Sequence, residues 1–374
     1  VKGSGTVDER FDVVVIGGGV VGLAHALAAH DRGARVAVVE RDPAPTGASV
    51  RNFGHACVTA QEGQALDRAL RARSRWIELA GAAGFWAGEV GTLVVARADD
   101  ELAVLDELAD RRGDQVRRLD PAGVRRHLAS APDDVVGGAH LPLDLRVNPR
   151  EAVPRLAAWA AGLPGIDVRG GTACLGVEPG RVRTTAGNLR TDRTVVCLNH
   201  DVDRLLPEVA REAGVRRCWL QMLRVRPAAP VRVEPALLSG FSMLRYAAFE
   251  RCPSSVAVRE RLAADHPAAL EADLNLMLTQ LPDGDLLLGD THARAETVDP
   301  FRREDWDRLL LEEGRRLLGV DRLEVVERWL GVYASAPEEF LEATPWPGLD
   351  VVSVTTGIGM TTAFGLAEDT VARW

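Results

Sequence analysis

Lysine is nearly missing from this chain of 374 residues: Lys2 is the only one, and every other basic side chain is arginine. That excludes a lysine Schiff base to a carbonyl or pyridoxal cofactor, and it excludes a phosphate-loop lysine. Phenols are as scarce, with only Tyr246 and Tyr333. The five cysteines (Cys57, Cys174, Cys197, Cys218, Cys252) form no C-x-x-C pair. Their scatter points to a reducing cytoplasm and away from zinc or a disulfide framework. No H-E-x-x-H or comparable ligand spacing is present, so no catalytic metal is expected. No apolar run reaches the ~18 residues of a membrane span, and no signal-peptide pattern opens the chain. Val1 to Thr6 reads as a frayed terminus or a tag remnant. Lys+Arg of 45 against Asp+Glu of 54 gives a net charge of −9. With no basic stretch, nucleic acid is not an expected partner.

The length suits two domains. Phe11 to Ile16 is a continuous apolar run, as in a strand buried on both faces. Gly17-Gly18-Gly19-Val20-Val21-Gly22 follows, then a helix from Leu23 to Asp31 and a second apolar run, Arg35 to Glu40. This is a β-α-β unit of dinucleotide-binding type. Further helices are expected over 64–83, 101–112, 148–161 and 305–318. Strands are expected over 92–97, 193–199, 218–226 and 242–249. The turn Pro282-Asp283-Gly284-Asp285 makes 274–280 and 286–289 a hairpin. The chain closes with a strand at 350–355, a turn at Gly357-Ile358-Gly359 and a helix at 361–374. The nucleotide half is therefore assembled from separated segments with β-rich pieces between them.

Gly17-x-Gly19-x-x-Gly22 has a strand before it, a helix after it, and Glu40 at the end of the next strand. Gly17 suits the tight turn, and Gly19 lets backbone approach a pyrophosphate beside Val20. Gly22 suits close helix–strand packing, and Glu40 suits ribose hydroxyls. The bland alternative is a glycine turn that packs a helix and binds nothing. Arg41 next to Glu40 leaves a 2′-phosphate open. The second turn, Thr356-Gly357-Ile358-Gly359-Met360-Thr361, opens the last helix. Its N–H groups suit the pyrimidine oxygens of a flavin, with the helix dipole favouring negative charge at N1. A plain strand–turn–helix is the alternative.

The V-V-V-I-G-G-G-V-V-G opening, the distant G-I-G-M-T and Arg328-Trp329-Leu330-Gly331 resemble the D-amino-acid oxidase, glycine oxidase and sarcosine oxidase superfamily. Five further stretches are similar to a bacterial subgroup of these flavoproteins associated with aminophosphonate breakdown. They are S-V-R-N-F-G (Ser49–Gly54), Q-M-L-R (Gln221–Arg224), R-Y-x-x-F (Arg245–Phe249), G-D-T-H (Gly289–His292) and R-W-L-G-V-Y-A-S (Arg328–Ser335). The resemblance runs nearly end to end. It implies an α/β fold, a Rossmann-like FAD-binding domain with an inserted, mainly antiparallel β-sheet substrate domain. Residues 10–80, 146–215 and 321–374 would form the first, and 81–145 with 216–320 the second. It also implies oxidation of a C–N bond by hydride transfer to flavin N5, followed by hydrolysis of the imine.

The departures from the family pattern bear on the substrate. Tyr333 stands where glycine oxidase-like relatives commonly hold the arginine that clamps a carboxylate. The oxygen-activating lysine of sarcosine oxidase-type relatives is absent, so a histidine does that work or electrons go to another acceptor. The tethering cysteine is also absent, which implies non-covalent FAD. Asn199-His200 replaces a usual glycine. The resemblance implies a small amine with an anionic tail, an aminoalkylphosphonate or its N-methyl derivative, as substrate. An α-amino acid or N-methyl amino acid held by a non-standard clamp is the alternative.

Candidates to hold the anion are Arg51, Arg224 and Arg245, the last with Tyr246 beside it. His292 is a neighbour by motif. His55 suits a neutral base for the ammonium proton, with a structural loop histidine or a covalent flavin attachment as alternatives. Ser49 and Asn52 suit the pyrophosphate or flavin edge, and Gly54 closes their loop. Cys174 marks the strand that meets adenine, and Trp329 either covers the cofactor or packs in the core.

Overall fold

The computed structural model describes residues 9–374. The expected frayed terminus, Val1 to Thr6, lies outside them, as does Lys2. The valine-rich opening forms strand Glu9–Ile16, whose last four residues are all buried. It pairs in parallel with Gly187–Val196 on one side and Val36–Val39 on the other. Val36–Val39 continues in parallel to Ile166–Arg169, and Gly187–Val196 to Leu349–Val354. Three antiparallel strands extend this sheet. Phe340–Trp346 lies along Leu349–Val354, and the pair Cys174–Glu178 and Arg181–Thr184 lies beyond Gly187–Val196. Uninterrupted apolar strands are what a parallel sheet covered on both faces requires.

Helices Val20–His30, Gly63–Ala83, Pro149–Ala161 and Gly359–Ala372 share one apolar core, with Leu23, Trp76, Leu156 and Phe364 at its centre. Trp76 is fully buried and donates its indole N–H to the Met360 carbonyl at 2.7 Å. Its ring meets Phe85 and Phe364 edge-on, at 5.8 and 5.0 Å between centroids. One side chain thus pins the first turn of the terminal helix.

The second sheet has nine strands and a core of its own, rich in leucine. Its longest members are Arg216–Pro227 and Leu323–Ser335, antiparallel along their whole length. Met277–Gln280 and Leu286–Gly289 form the antiparallel hairpin that the turn residues imply. The sheet is mixed in one place, where Ala236–Leu238 runs parallel to Thr92–Ala96. A small third sheet, His55–Ala56 with Leu145–Val147 and Ala87–Gly88, joins the two halves.

Two expectations need correction. Residues 242–249 are not a strand: Ser242–Leu244 is a 3-10 turn and Ala247–Glu250 a short helix. Ser239 and Ser242 both donate their hydroxyls to the Leu276 carbonyl, which ties the segment into a turn rather than a ladder. Leu323–Ser335 belongs to the second sheet, although the expected boundary grouped 321–374 with the nucleotide-binding segments.

Replacing Trp76 by alanine removes a fully buried indole and its hydrogen bond, so unfolding free energy should fall by about 3–5 kcal/mol. Chemical denaturation of the purified variant measures this. A loss below about 1 kcal/mol would mean that the terminal helix is held by other contacts.

Candidate functional site

Gly17 ends the opening strand with φ +111°, a conformation that side chains oppose, and a Cβ there would lie 2.4 Å from the Cys197 carbonyl oxygen. A Cβ on Gly22 would fall 1.8 Å from the Gly17 oxygen, so the helix sits directly on the bend. The helix N-terminus is open to an anion, with no acidic residue in its first turn. The Val20 N–H donates to Ser49 Oγ at 2.9 Å. Glu40 accepts from the Gly18 N–H at 2.7 Å and the Asp42 N–H at 3.0 Å, so part of its acceptor capacity serves its own loop.

The second bend follows Leu349–Val354. Thr361 Oγ1 accepts the Cys57 N–H at 3.1 Å, and a Cβ on Gly357 would lie 3.1 Å from the Tyr333 ring. Gly187–Val196 pairs with both bend-bearing strands, Val196 facing Ile16 on one side and Val351 on the other. The two bends therefore open onto the same edge of the sheet. One cavity of about 720 Å³ connects them and reaches the second sheet. Gly17, Gly19, Val20, Glu40, Arg41, Ser49, Arg51, Asn52, Cys174, Gly357, Gly359, Met360 and Thr361 all line it.

Three residues expected at a cofactor do not line the cavity. Gly22 packs beneath the bend. Gly54, at φ +68°, is a turn against the Val147 carbonyl. Trp329 donates its indole N–H to the Arg51 carbonyl at 3.2 Å and carries the Arg150 guanidinium 4.8 Å above its ring, so it props the loop from outside. Asn52 lines the cavity, but its side chain is spent on the loop: Nδ2 donates to the Ala48 and Ser49 carbonyls and Oδ1 accepts the Gly54 N–H. Asn199 adopts the left-handed conformation (φ +54°) that glycine and asparagine tolerate best, and its Oδ1 accepts the Ala334 N–H at 2.6 Å. Arg41 reaches Asp201 at 2.8 Å at the same end of the cavity.

At the other end lie Arg245, Tyr246, His292 and Tyr333, which all line the cavity together with Asn275 and Asp290. Arg245 donates to Asp273 Oδ2 at 2.9 Å and reaches the Tyr333 hydroxyl at 3.5 Å, while its Nε is buried without a partner. Burial opposes ionisation of Asp273, but Arg245 and Arg294 hold its carboxyl below the ordinary range. Asp290 is the reverse case. Burial pushes its carboxyl up to about 7 against the pull of Arg245. His292 Nδ1 faces the Asp273 carbonyl at 2.8 Å, and burial keeps the imidazole neutral. Burial also raises both phenols, so Tyr246 and Tyr333 stay protonated. Arg224 is far from this cluster in function, tied to Asp283, Asp285 and Glu327 outside the cavity lining.

His55 lines the cavity from a strand rather than a free loop. Its Nε2 lies 2.6 Å from Thr92 Oγ1, which donates to Asp144 Oδ2 at 2.6 Å, and Nδ1 has no partner. His55, Cys57 and Asp144 bring possible ligand atoms within 4.8 Å of one another. Asp144 already accepts from Thr59 and Thr92, and burial with Asp144 alongside raises the Cys57 thiol well above its usual value. The trio is a hydrogen-bonded joint between the sheets, ill suited to a cation.

Asp290, Asp273 and Asn275 were not legible as site residues. The one signal was Asp290's place in G-D-T-H beside His292.

The family model described as FAD dependent oxidoreductase matches residues 12–373. Among curated proteins, the chain is 28% identical over 236 residues to the bifunctional protein ThiO/ThiG of Nostoc sp., covering 58% of this chain and 34% of that protein. It is 29% identical over 239 residues to gamma-glutamylputrescine oxidoreductase of Escherichia coli, covering 56% and 54%. These matches thus span only about a third to a half of the relatives' lengths. Among solved structures, glycine oxidase from Geobacillus kaustophilus superposes with TM-score 0.78 at 20% identity, over 98% of this chain and 95% of that one. L-proline dehydrogenase from P. horikoshii gives 0.78 at 19% identity, over 98% and 93%. At these identities the likeness is one of fold. Among the described residues, no helix is long and apolar enough to cross a membrane.

FAD is the cofactor of the matched family, and the cleft fits it. Two helix N-termini with glycine bends open onto one cavity, which Glu40 also lines. Gly17→Val would drive side-chain atoms into the Cys197 carbonyl and close the first bend. The purified variant should carry little or no flavin by absorbance, whereas a normal flavin-to-protein ratio would show that this bend does not hold the cofactor.

Proposed function

The chain belongs to the FAD-dependent oxidoreductase (DAO) family, and on that premise we propose that it oxidises the C–N bond of a small amine with an anionic tail. An aminoalkylphosphonate or its N-methyl derivative is the first choice. Arg245 carries this reading. Its guanidinium lines the cavity, is oriented by Asp273 and Tyr333, and keeps a buried Nε with no protein partner. A buried donor without an acceptor costs about 1–3 kcal/mol, which a ligand oxyanion recovers. FAD, when bound, accepts the hydride removed from the carbon next to nitrogen.

The protein's part is orientation and proton handling. Arg245 fixes the anionic tail, and the neutral phenol of Tyr333 offers a second donor at the same point. The first bend and Ser49, Glu40 and Arg41 would hold the dinucleotide end, and Gly357, Gly359, Met360 and Thr361 the flavin end. Cys174 would sit beside adenine. Burial of the substrate end excludes water until the imine is formed. A planar guanidinium also matches a carboxylate, which supports an α-amino or N-methyl amino acid as the second reading. Oxygen or another oxidant takes the electrons onward. Five unpaired cysteines, four of them buried, support a reducing compartment, the cytoplasm.

Anaerobic addition of amino acids, aminophosphonates and their N-methyl forms tests the substrate class by bleaching of the flavin. For Arg245→Ala, half-saturation should rise about ten- to a hundredfold, the loss of a charge-assisted hydrogen bond, with flavin content unchanged. An unaltered half-saturation would remove Arg245 from the anion site.

A further inference from the structure

We propose that Asp290, backed by His292, is the catalytic base that takes the proton from the substrate's ammonium group. The inference rests on the amine-oxidation reading. In the step, an N–H bond of the ammonium breaks and an O–H bond forms on Asp290. Nitrogen keeps the electron pair, and no electron leaves the substrate. The neutral amine is then ready for hydride loss, which an ammonium resists.

Geometry selects this carboxyl. Asp290 is buried, lines the cavity, and its Oδ1 has no protein partner. Its Oδ2 lies 3.8 Å from His292 Nε2. A carbonyl oxygen only accepts, so the His292 Nδ1 that faces Asp273 carries the proton, and Nε2 presents a lone pair towards Asp290. At 3.8 Å this is beyond hydrogen-bond range, so His292 acts on Asp290 as a neutral, electron-rich neighbour rather than as a bonded partner. The groups around it are otherwise committed. Asp273 is held by Arg245 at 2.9 Å and Arg294 at 2.7 Å. Tyr246, Tyr333 and Cys218 all titrate above their ordinary values through burial. Asn275, whose backbone pairs with that of Asp290, carries no ionisable group. His55 donates its Nε2–H to Thr92, which leaves its unpartnered Nδ1 as the competing acceptor that the His55→Ala arm of the test separates from Asp290. The carboxyl's titration near 7 suits this work, because a base poised near the working pH is the most effective.

The test compares wild type, Asp290→Asn and His55→Ala as flavin-loaded proteins. In wild type, the anaerobic reduction rate over the dissociation constant should rise with pH through an inflection near 7, since only the carboxylate can accept the proton. Asp290→Asn should lose that inflection and reduce about 10²–10⁴-fold more slowly, with normal flavin content. His55→Ala should keep the inflection. Infrared titration of wild type reads the same group without turnover: a buried carboxylic-acid carbonyl band should disappear near pH 7. It decides the matter even if Asp290→Asn does not fold. Absence of that band overturns the proposal, as does an inflection that survives Asp290→Asn or vanishes in His55→Ala. If no amine bleaches the wild-type flavin at any pH, the substrate reading fails and takes this proposal with it; bleaching that keeps its inflection in Asp290→Asn sinks this proposal alone.

Discussion

Parallel pairing of one central strand on both of its sides is the constraint from which the site follows. Gly187–Val196 is hydrogen-bonded in parallel to the strands that precede each glycine bend. Parallel neighbours end on the same edge of a sheet, so residues more than 300 positions apart must open onto one crevice. No side-chain contact is needed to bring them together. What side chains add is orientation: Trp76 fixes the start of the terminal helix through the Met360 carbonyl, and Ser49 Oγ sits at the start of the first helix.

The second sheet supplies what the first cannot. Its strands and the turns at their ends bring Arg245, Asn275, Asp290, His292 and Tyr333 to the far end of the cavity from four separate stretches of chain. Arg245 Nε, Asn275 Oδ1 and Asp290 Oδ1 are buried there without partners. Each such atom weakens the fold by about 1–3 kcal/mol. Arg224 and Arg217, by contrast, are tied into ion pairs away from that cluster. A donor and two acceptors left open at one end of a cavity suit the proposed substrate, which has both kinds of group.

The first half of the site was readable because its physics is local. A glycine bend between an apolar strand and a helix leaves its mark within six residues, and Glu40 stands at a fixed distance beyond. The second half is read from contacts that no local pattern encodes. Residues 242–249 carry apolar and aromatic side chains that suit a strand, yet two serine hydroxyls bound to the Leu276 carbonyl turn the chain instead. Trp329 lies in a stretch with the family's signature, but its indole faces the Arg51 carbonyl behind the loop. Asp290 was visible only as the neighbour of a histidine, because its value as a base comes from burial, which is a property of the assembled fold.

Arg245 and Asp290 are coupled, and the sign of the coupling favours the reaction. In the free protein, burial raises the Asp290 carboxyl while the Arg245 guanidinium pulls it down. On the proposed reading, the negative charge of an anionic tail docked on Arg245 offsets that pull. The offset would make Asp290 a stronger base at the moment such a substrate arrives. The ammonium at the other end of the same molecule opposes this only until its proton has moved. An amine without an anionic tail would leave the pull of Arg245 on Asp290 in place, and so would be penalised in proton transfer as well as in binding. Selection for the tail would then be exercised twice through one arginine, once as a contact and once as a field.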